Sequence, residues 1–300
     1  MDDDFYLRQT PYSDPGHLDT AGLPGDPEQL AGLVRDLIIH RGEGERFGHT
    51  IPAPRLHTDA ESRYVTGLLR VLRERRDAPL SEPRAPRERF VGTCRDFALL
   101  LCSLLRATGT PARLRCGFAT YFTEGRHEDH WVTEYRASDG GWRLADAQVH
   151  HAYDGLPFDP VDVPRDRFLV APDAWRACRS GRAAPDSFGF SGLPWARGLW
   201  FVRANVLRDL AALNGVEVLP WDCWGPEILD DSRLTADDLA LIDTVAAATD
   251  EGELRRLYED PRLAVPDVVT SYTTYLGVRK VTLPARKGTP PARKGTLPGR

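Results

Sequence analysis

Residues Phe90–Asp146 read FVGTCRDFALLLCSLLRATGTPARLRCGFATYFTEGRHEDHWVTEYRASDGGWRLAD, and the rest of the chain is organised around this stretch. Its apolar residues first recur at helical spacing, at Phe97, Leu100, Leu101, Leu104 and Leu105. Two strand patterns follow at residues 113–122 and 130–136, with a turn at residues 123–129 between them. A third short strand ends at Asp146. One helix followed by consecutive strands predicts an α+β fold.

Cys94 stands at the start of the predicted helix. Thr93, followed three residues later by Asp96, matches the capping-box signature, which makes Thr93 the N-cap and Cys94 the first helical residue. A thiol at that position faces unpaired N–H groups and the positive end of the helix dipole. These favour the thiolate and can hold the oxyanion that forms when it attacks a carbonyl. We therefore predict a nucleophile at Cys94, and expect a second oxyanion donor from a residue upstream of it.

The other four cysteines fit the common role of a buried small hydrophobe. They are Cys102, Cys116, Cys178 and Cys223.

His130 and Asp146 supply the remaining groups of a thiol-based site. Alternation along the second strand places His130, Val132 and Glu134 on one face, and Asp146 ends the next strand after a Gly-Gly turn. Side chains on neighbouring antiparallel strands lie within reach of each other, so Asp146 can hold the imidazole of His130 in one tautomer. Thiol acyl-transfer chemistry needs a cysteine, a histidine and an orienting acidic group.

This segment resembles the core domain of the transglutaminase-like superfamily, papain-related enzymes with Cys, His and Asp in that chain order. The matching pieces are GTCRDFALLLCSLLRATGTPARLRCGF, HEDHWVTEY and GGWRLADAQ. The resemblance implies an α+β, papain-like or transglutaminase-like core, with the nucleophile helix packed on an antiparallel sheet. It also implies Cys94 as nucleophile, His130 as general base and acid, and Asp146 as the orienting group.

The superfamily includes transglutaminases, proteases, peptide:N-glycanases, amide-forming enzymes and copies without activity, so three functions are open. The first is a cysteine acyltransferase or amidohydrolase, which cleaves an amide or thioester through an acyl-enzyme and passes the acyl group to an amine or water. The second is a cysteine protease on the same triad, and the third is a binding module that keeps only the scaffold. The expected partners are a peptide, protein or small-molecule amide or thioester, together with an amine acceptor in the first case.

Composition narrows the class of protein. The chain has 300 residues, 41% hydrophobic and 28% charged, as in a soluble globular protein. The five cysteines lack paired spacing, which is typical of reduced thiols and not of disulfides. Neither a signal peptide nor an apolar run of ~20 residues is visible. We therefore expect a cytoplasmic protein without a membrane partner. The arginines on a predicted helix at residues 58–76 fit a solvated face and not a nucleic-acid surface. The HEDH motif at residues 127–130 and the pair His150-His151 lack zinc-site spacing, so we expect no metal and no cofactor.

We predict four parts along the chain: an irregular arm at residues 1–26, the catalytic core at 27–149, a mainly helical extension at 150–278 packed on the core, and a disordered tail at 279–300. Helices are expected from Pro27, capped by Asp26, and over Leu199–Leu213. The tail contains PARKGT twice and carries seven basic residues but no acidic one, a composition that cannot form a core. The extension concentrates tryptophans that serve either as core or as the wall of a substrate groove: Trp175, Trp195, Trp200, Trp221 and Trp224.

Overall fold

The computed structural model describes residues 3–224, 231–273 and 275–283. Its helices are α1 (Asp3–Leu7), α2 (Pro27–Leu37), α3 (Ala53–Thr58), α4 (Val65–Arg75), α5 (Cys94–Ala107), α6 (Ala171–Arg179), α7 (Leu199–Leu213), α8 (Ala236–Ala247) and α9 (Glu251–Leu257). Its strands are β1 (Ile38–His40), β2 (Phe90–Gly92), β3 (Ala112–Ala119), β4 (His127–Arg136), β5 (Trp142–Ala145), β6 (Phe168–Val170), β7 (Phe188–Gly189), β8 (Asp222–Cys223), β9 (Val268–Thr273) and β10 (Gly277–Thr282). Within these residues, no helix is long and apolar enough to span a membrane.

Helix α5 is the centre of the molecule. It begins at Cys94 as predicted, because the Asp96 carboxylate accepts hydrogen bonds from the Thr93 amide at 2.8 Å and from the Thr93 hydroxyl at 3.2 Å. Every residue of the helix from Cys94 to Arg106 is buried. A helix buried on all sides needs neighbours on all sides, and α2, α4, β3 and β4 pack around it.

The main sheet has the strand order β5-β4-β3-β6, with antiparallel pairing throughout, and the short β7 pairs in parallel with the start of β4. In this register Gly117 lies opposite His130, and Thr133 lies opposite Ala145. The Thr133 hydroxyl donates to the carbonyl of Ala98 at 2.8 Å, which joins the sheet to α5. The predicted α+β arrangement, with the helix that begins at Cys94 packed on an antiparallel sheet, is confirmed.

Some predicted element bounds are wrong. Strand β4 begins at His127, so His130 is its fourth residue, because the polar residues Glu128 and Asp129 pair with β3 instead of forming the expected turn. Strand β3 ends at Ala119, three residues before the predicted end. The helix expected over residues 58–76 begins only at Val65, whose amide is instead bonded to the carbonyl of Tyr12 at 2.9 Å.

Gly117 of β3, which lies opposite His130 in β4, allows β6 to pack closely against β3. A Cβ atom at residue 117 would overlap the carbonyl oxygen of Leu169 and lie 2.9 Å from the ring of Phe168. Because residue 117 has no Cβ, the Phe168 ring can occupy this space, and it packs edge-on to His130 with 6.2 Å between ring centroids. The glycine therefore helps to fix the position of the imidazole.

The extension is joined to the core through the same sheet, since β6 and β7 both come from it. Helix α7 covers the part of the β3 edge that β6 leaves unpaired. Asp209 of α7 accepts a hydrogen bond from the Cys116 amide at 2.9 Å and pairs with both ends of the Arg115 guanidinium at 3.0 and 2.8 Å. A carboxylate thus satisfies a strand N–H that has no partner strand.

The predicted ends of the chain differ in part from the structure. The arm predicted to be irregular contains helix α1, so that prediction is wrong over Asp3–Leu7, and the hydroxyl of the buried Tyr6 donates to the Leu213 carbonyl at 3.3 Å. At the other end, residues 279–282 belong to β10 and pair with β9, so the prediction of a disordered tail is wrong there. The side chain of Leu283 is buried and its amide bonds to Asp267, which fixes the end of that strand. Residues 284–300, with both PARKGT copies, lie outside the described residues.

Replacing Asp209 tests whether core and extension form one folding unit. We expect Asp209→Ala to lower the free energy of unfolding by about 3–5 kcal/mol, because it removes one of the two buried carboxylates that pair with Arg115, leaving only Glu134, and leaves the Cys116 amide without its acceptor. The matched control Arg70→Ala breaks an exposed pair with Glu74 and should cost less than about 1 kcal/mol. Chemical denaturation, followed by tryptophan fluorescence and circular dichroism, measures both. Similar small losses in the two variants would show that the contact between α7 and β3 is dispensable.

Candidate active site

The three residues predicted for the site lie together. Cys94 is the first residue of α5, His130 lies in β4, and Asp146 directly follows β5. The Nε2 atom of His130 is 2.7 Å from Oδ2 of Asp146. The Cys94 thiol lies close enough to the same imidazole to raise its pKa. Because Nε2 of His130 is bonded to Asp146, Nδ1 is the ring nitrogen that remains available to the thiol.

Asp146 is held by groups from several segments. Its Oδ2 accepts a hydrogen bond from the Tyr121 hydroxyl at 2.7 Å, its Oδ1 accepts from the Gln148 amide at 3.0 Å, and its own amide donates to the Pro160 carbonyl at 2.7 Å. Burial alone would raise the pKa of this carboxyl, but the interactions with His130, Tyr121 and Gln148 outweigh burial and lower it. Asp146 is therefore a charged, fixed acceptor at neutral pH.

Aromatic side chains surround the buried imidazole of His130. The rings of Phe122 and Tyr121 lie edge-on to it, at centroid distances of 4.8 and 6.0 Å. Burial opposes the charged ring, but Asp146 and Cys94 both favour it and raise the pKa of His130 from 6.5 to about 10. At neutral pH, His130 is thus a cation beside the Cys94 thiol, the arrangement in which a thiolate–imidazolium pair forms.

Cys94 lines a cavity of about 160 Å³, whereas His130 and Asp146 do not line it. Aromatic and apolar side chains and two cysteines make up most of the cavity wall, and five polar or charged residues join them. The wall consists of His40, Arg41, Thr93, Cys94, Asp129, Phe190, Leu193, Trp195, Ala196, Trp200, Phe201, Arg208, Pro220, Trp221, Cys223 and Tyr272. Three of the five tryptophans singled out in the extension are therefore part of this wall. The other two are buried, and their indole N–H groups donate to Asp243 and to the carbonyl of Leu263.

His40 reaches the cavity through the parallel pair formed by β1 and β2. It lies opposite Gly92, two residues before Cys94. Its Nδ1 accepts a hydrogen bond from the Gly42 amide at 3.1 Å, which places the ring proton on Nε2. Burial lowers the pKa of His40 to about 4, and the nearby charges of Arg41 and His130 add to that effect. His40 is therefore a neutral N–H donor, and no local sequence signal indicates it.

Asp129 is a second residue of the cavity wall that the sequence did not indicate. Its Oδ1 accepts a hydrogen bond from the Asn205 amide at 2.7 Å. Arg208 donates to Oδ1 of Asn205 at 2.9 Å and to the sulfur of Cys223 at 3.3 Å. Burial raises the pKa of Asp129 in spite of Asn205 and Arg208. The polar side of the cavity is therefore a bonded chain that includes a carboxylate and a guanidinium.

The remaining histidines near the site have other contacts. The ring of His127 stacks on Phe188 at a centroid distance of 4.1 Å, and His150 and His151 contact each other at 2.8 Å. None of them lines the Cys94 cavity. In the part of the chain that the structure describes, no three His, Cys, Asp or Glu side chains are grouped to hold a metal ion.

Asp146→Asn tests the electrostatic role of the carboxylate. In the wild type we expect the His130 imidazole to stay protonated through neutral pH and to titrate near 10. Without the charge of Asp146, burial dominates, and the pKa of His130 should fall to 6.5 or below. NMR titration of the imidazole resonances measures this. The control Asp162→Asn changes an exposed carboxyl beside Arg143 and should leave the titration unchanged. An unchanged His130 titration in Asp146→Asn would contradict the assignment.

Comparison with known proteins places the site in a wider context. Residues 73–147 match the family model described as the transglutaminase-like superfamily, and the matched segment contains Cys94, His130 and Asp146. No curated protein matches the chain. A solved structure named as a "Putative Cysteine Protease from Cytophaga hutchinsonii" is 18% identical over 56% of this chain and 45% of that chain, with a TM-score of 0.24. The match thus spans less than half of that protein, and its TM-score is too low to support a conclusion about this chain.

Proposed function

We propose that this protein is an acyl-transfer enzyme with Cys94 as nucleophile, and the match of residues 73–147 to the transglutaminase-like superfamily supports cysteine-based catalysis in general. It cleaves an amide or a thioester through a thioester acyl-enzyme and passes the acyl group to an amine or to water. One observation carries the proposal. His130 is bonded to Asp146 at 2.7 Å and faces the thiol of Cys94, and of these three residues only Cys94 lines the cavity.

The first half-reaction forms the acyl-enzyme. The Cys94 thiolate attacks the carbonyl carbon, a C–S bond forms, and the carbonyl oxygen becomes an oxyanion. The amide of Cys94, at the first position of α5, and the Nε2–H of His40 are the proposed donors to that oxyanion. When the oxyanion collapses, the C–N or C–S bond of the substrate breaks, and His130 gives its proton to the leaving group.

The second half-reaction regenerates the thiolate. His130, now neutral at Nδ1, takes a proton from an amine or from water as that nucleophile attacks the thioester carbonyl. The C–S bond to Cys94 then breaks, and the thiolate and imidazolium are restored. Asp146 keeps the second ring proton on Nε2 through both steps, so that Nδ1 remains the working nitrogen.

The acceptor separates the proposed function from its alternatives. A labelled peptide library and a thioester or amide donor supplied with a fluorescent amine are the two assays. Covalent transfer of the amine supports acyl transfer to amines, whereas cleaved peptides without transfer support a cysteine protease. Cys94→Ala should abolish either product with the fold retained, and full activity in that variant excludes both. A binding module gives no product and an ordinary thiol at Cys94.

The reactivity of Cys94 has a matched internal control in Cys178. Both residues are 9% exposed, and burial raises the pKa of Cys178 to about 11. Since the thiolate is the nucleophile, we expect iodoacetamide at neutral pH to alkylate Cys94 about a hundredfold faster than Cys178, or faster still. Mass spectrometry of tryptic peptides over time measures both rates in one sample. Equal rates would remove the basis for a catalytic thiol and favour a scaffold function.

The proposed role of His40 is tested by a ratio of two rates at Cys94. Acylation by p-nitrophenyl acetate develops an oxyanion, whereas alkylation by iodoacetamide does not. We expect His40→Ala to lower the ratio of acylation to alkylation by about a hundredfold to a thousandfold. His40→Gln keeps an N–H donor and should restore part of the loss.

The control for His40 is His127→Ala, since His127 stacks on Phe188 outside the cavity. It should leave the ratio at the wild-type value. A ratio that stays constant in His40→Ala would assign the second oxyanion donor elsewhere, without changing the role of Cys94.

A further inference from the structure

The cavity beside Cys94 has the size and the wall of a pocket for one ring. Its volume of about 160 Å³ is close to the ~150 Å³ of an apolar cavity that takes up benzene. The ring of Trp195 is 64% exposed and stacks on Trp200 with 6.3 Å between centroids, and Phe190 and Tyr272 are also more than a third exposed. Exposed aromatic side chains grouped around a concave site indicate ligand contact and not core packing.

Arg41 is the charged residue of the wall that lacks a counter-ion. Its Cζ atom lies over the rings of Trp221 and Tyr275, at 5.2 and 5.4 Å from their centroids. Among the described residues, no carboxylate or carbonyl oxygen pairs with its side chain. A cation–π contact does not use the N–H donors of a guanidinium, so the N–H edge of Arg41 stays free for a carboxylate, which it can bind through two parallel hydrogen bonds.

The other charges of the wall offset one another. Asp129 and Arg208 are joined through Asn205, which bonds to both. The Nε atom of Arg208 is buried and has no acceptor in the described part of the chain. The charge of Asp129 is therefore offset by Arg208, and these bonded side chains leave no negative charge to balance Arg41. The cavity thus carries an unbalanced positive charge at Arg41, next to an apolar wall, and attracts an anionic group.

We propose that the group bound beside Cys94 is an aromatic ring, or an apolar group of similar size, that carries a carboxylate paired with Arg41. This inference rests on the proposed function for its meaning as a substrate class, because the pocket adjoins the nucleophile. The ring fills the space between Trp195, Trp200 and Trp221, and the carboxylate meets the free edge of the guanidinium. The substrate class is therefore an acyl donor with an acidic aromatic or apolar group close to the bond that is cleaved.

Equilibrium binding of three matched probes to the full chain tests the proposal. The probes are 3-phenylpropionate, 3-phenylpropionamide and 3-phenylpropylamine, which share one ring and one spacer but differ in charge. By isothermal titration calorimetry, we expect the carboxylate to bind about tenfold more tightly than the amide, or more, as for a hydrogen bond to a charged group. Arg41→Gln should remove that preference. The control Arg73→Gln changes an exposed arginine of α4 outside the cavity and should retain it.

The binding site is located by the reaction of Cys94 with iodoacetamide, which bound 3-phenylpropionate should slow. The proposal is overturned if none of the probes binds, if the amine binds more tightly than the carboxylate, or if Arg41→Gln keeps the wild-type preference. Because binding is measured without turnover, an unreactive Cys94 would count against the proposed function alone. A missing carboxylate preference with a reactive Cys94 would count against the substrate class alone.

Discussion

The hydrogen bond between Asp146 and His130, 2.7 Å long and almost wholly shielded from water, is the interaction on which the candidate site depends. Burying a carboxylate and an imidazolium is costly unless each is paired and its remaining atoms are bonded. Here Tyr121 and the Gln148 amide satisfy the carboxylate, and the Cys94 thiol faces the free side of the ring. The pair therefore retains its charges, and the ring is a cation beside the Cys94 thiol.

The rest of the fold holds the members of this arrangement in place. The antiparallel pairing of β4 with β5 brings Asp146 next to His130, and Gly117 lets Phe168 close the far side of the ring. The parallel pairing of β1 with β2 carries His40 to the same cavity. Helix α7 connects the sheet to the cavity. Its Asp209 covers the edge of β3, and its Trp200 and Phe201 line the cavity. The extension is thus part of the candidate site.

Sequence reasoning found what local signals encode. The start of α5 follows from Thr93 and Asp96, the start of α2 from Asp26 and Pro27, and the bounds of α7 from its apolar run. The proximity of Cys94, His130 and Asp146 could be predicted because the three residues lie within one stretch whose elements are neighbours in space. The residues of the cavity wall could not be predicted, because His40 and Arg41 reach the cavity through a pair of strands that are 52 residues apart in sequence, as the register Ile38↔Phe90 shows. The start of β4 was missed because charged residues, typical of turns, are paired there by tertiary contacts.

The central claim is that Cys94 and His130 form a thiolate–imidazolium pair at neutral pH, and ultraviolet difference spectroscopy tests it most directly. A thiolate absorbs in the far ultraviolet where a thiol does not. The spectrum of the wild type minus that of Cys94→Ser should show the thiolate band at neutral pH, and the band should vanish when the same difference is taken in a His130→Ala background. A flat difference spectrum for the wild type at neutral pH, with the band appearing only in alkali, would contradict the account.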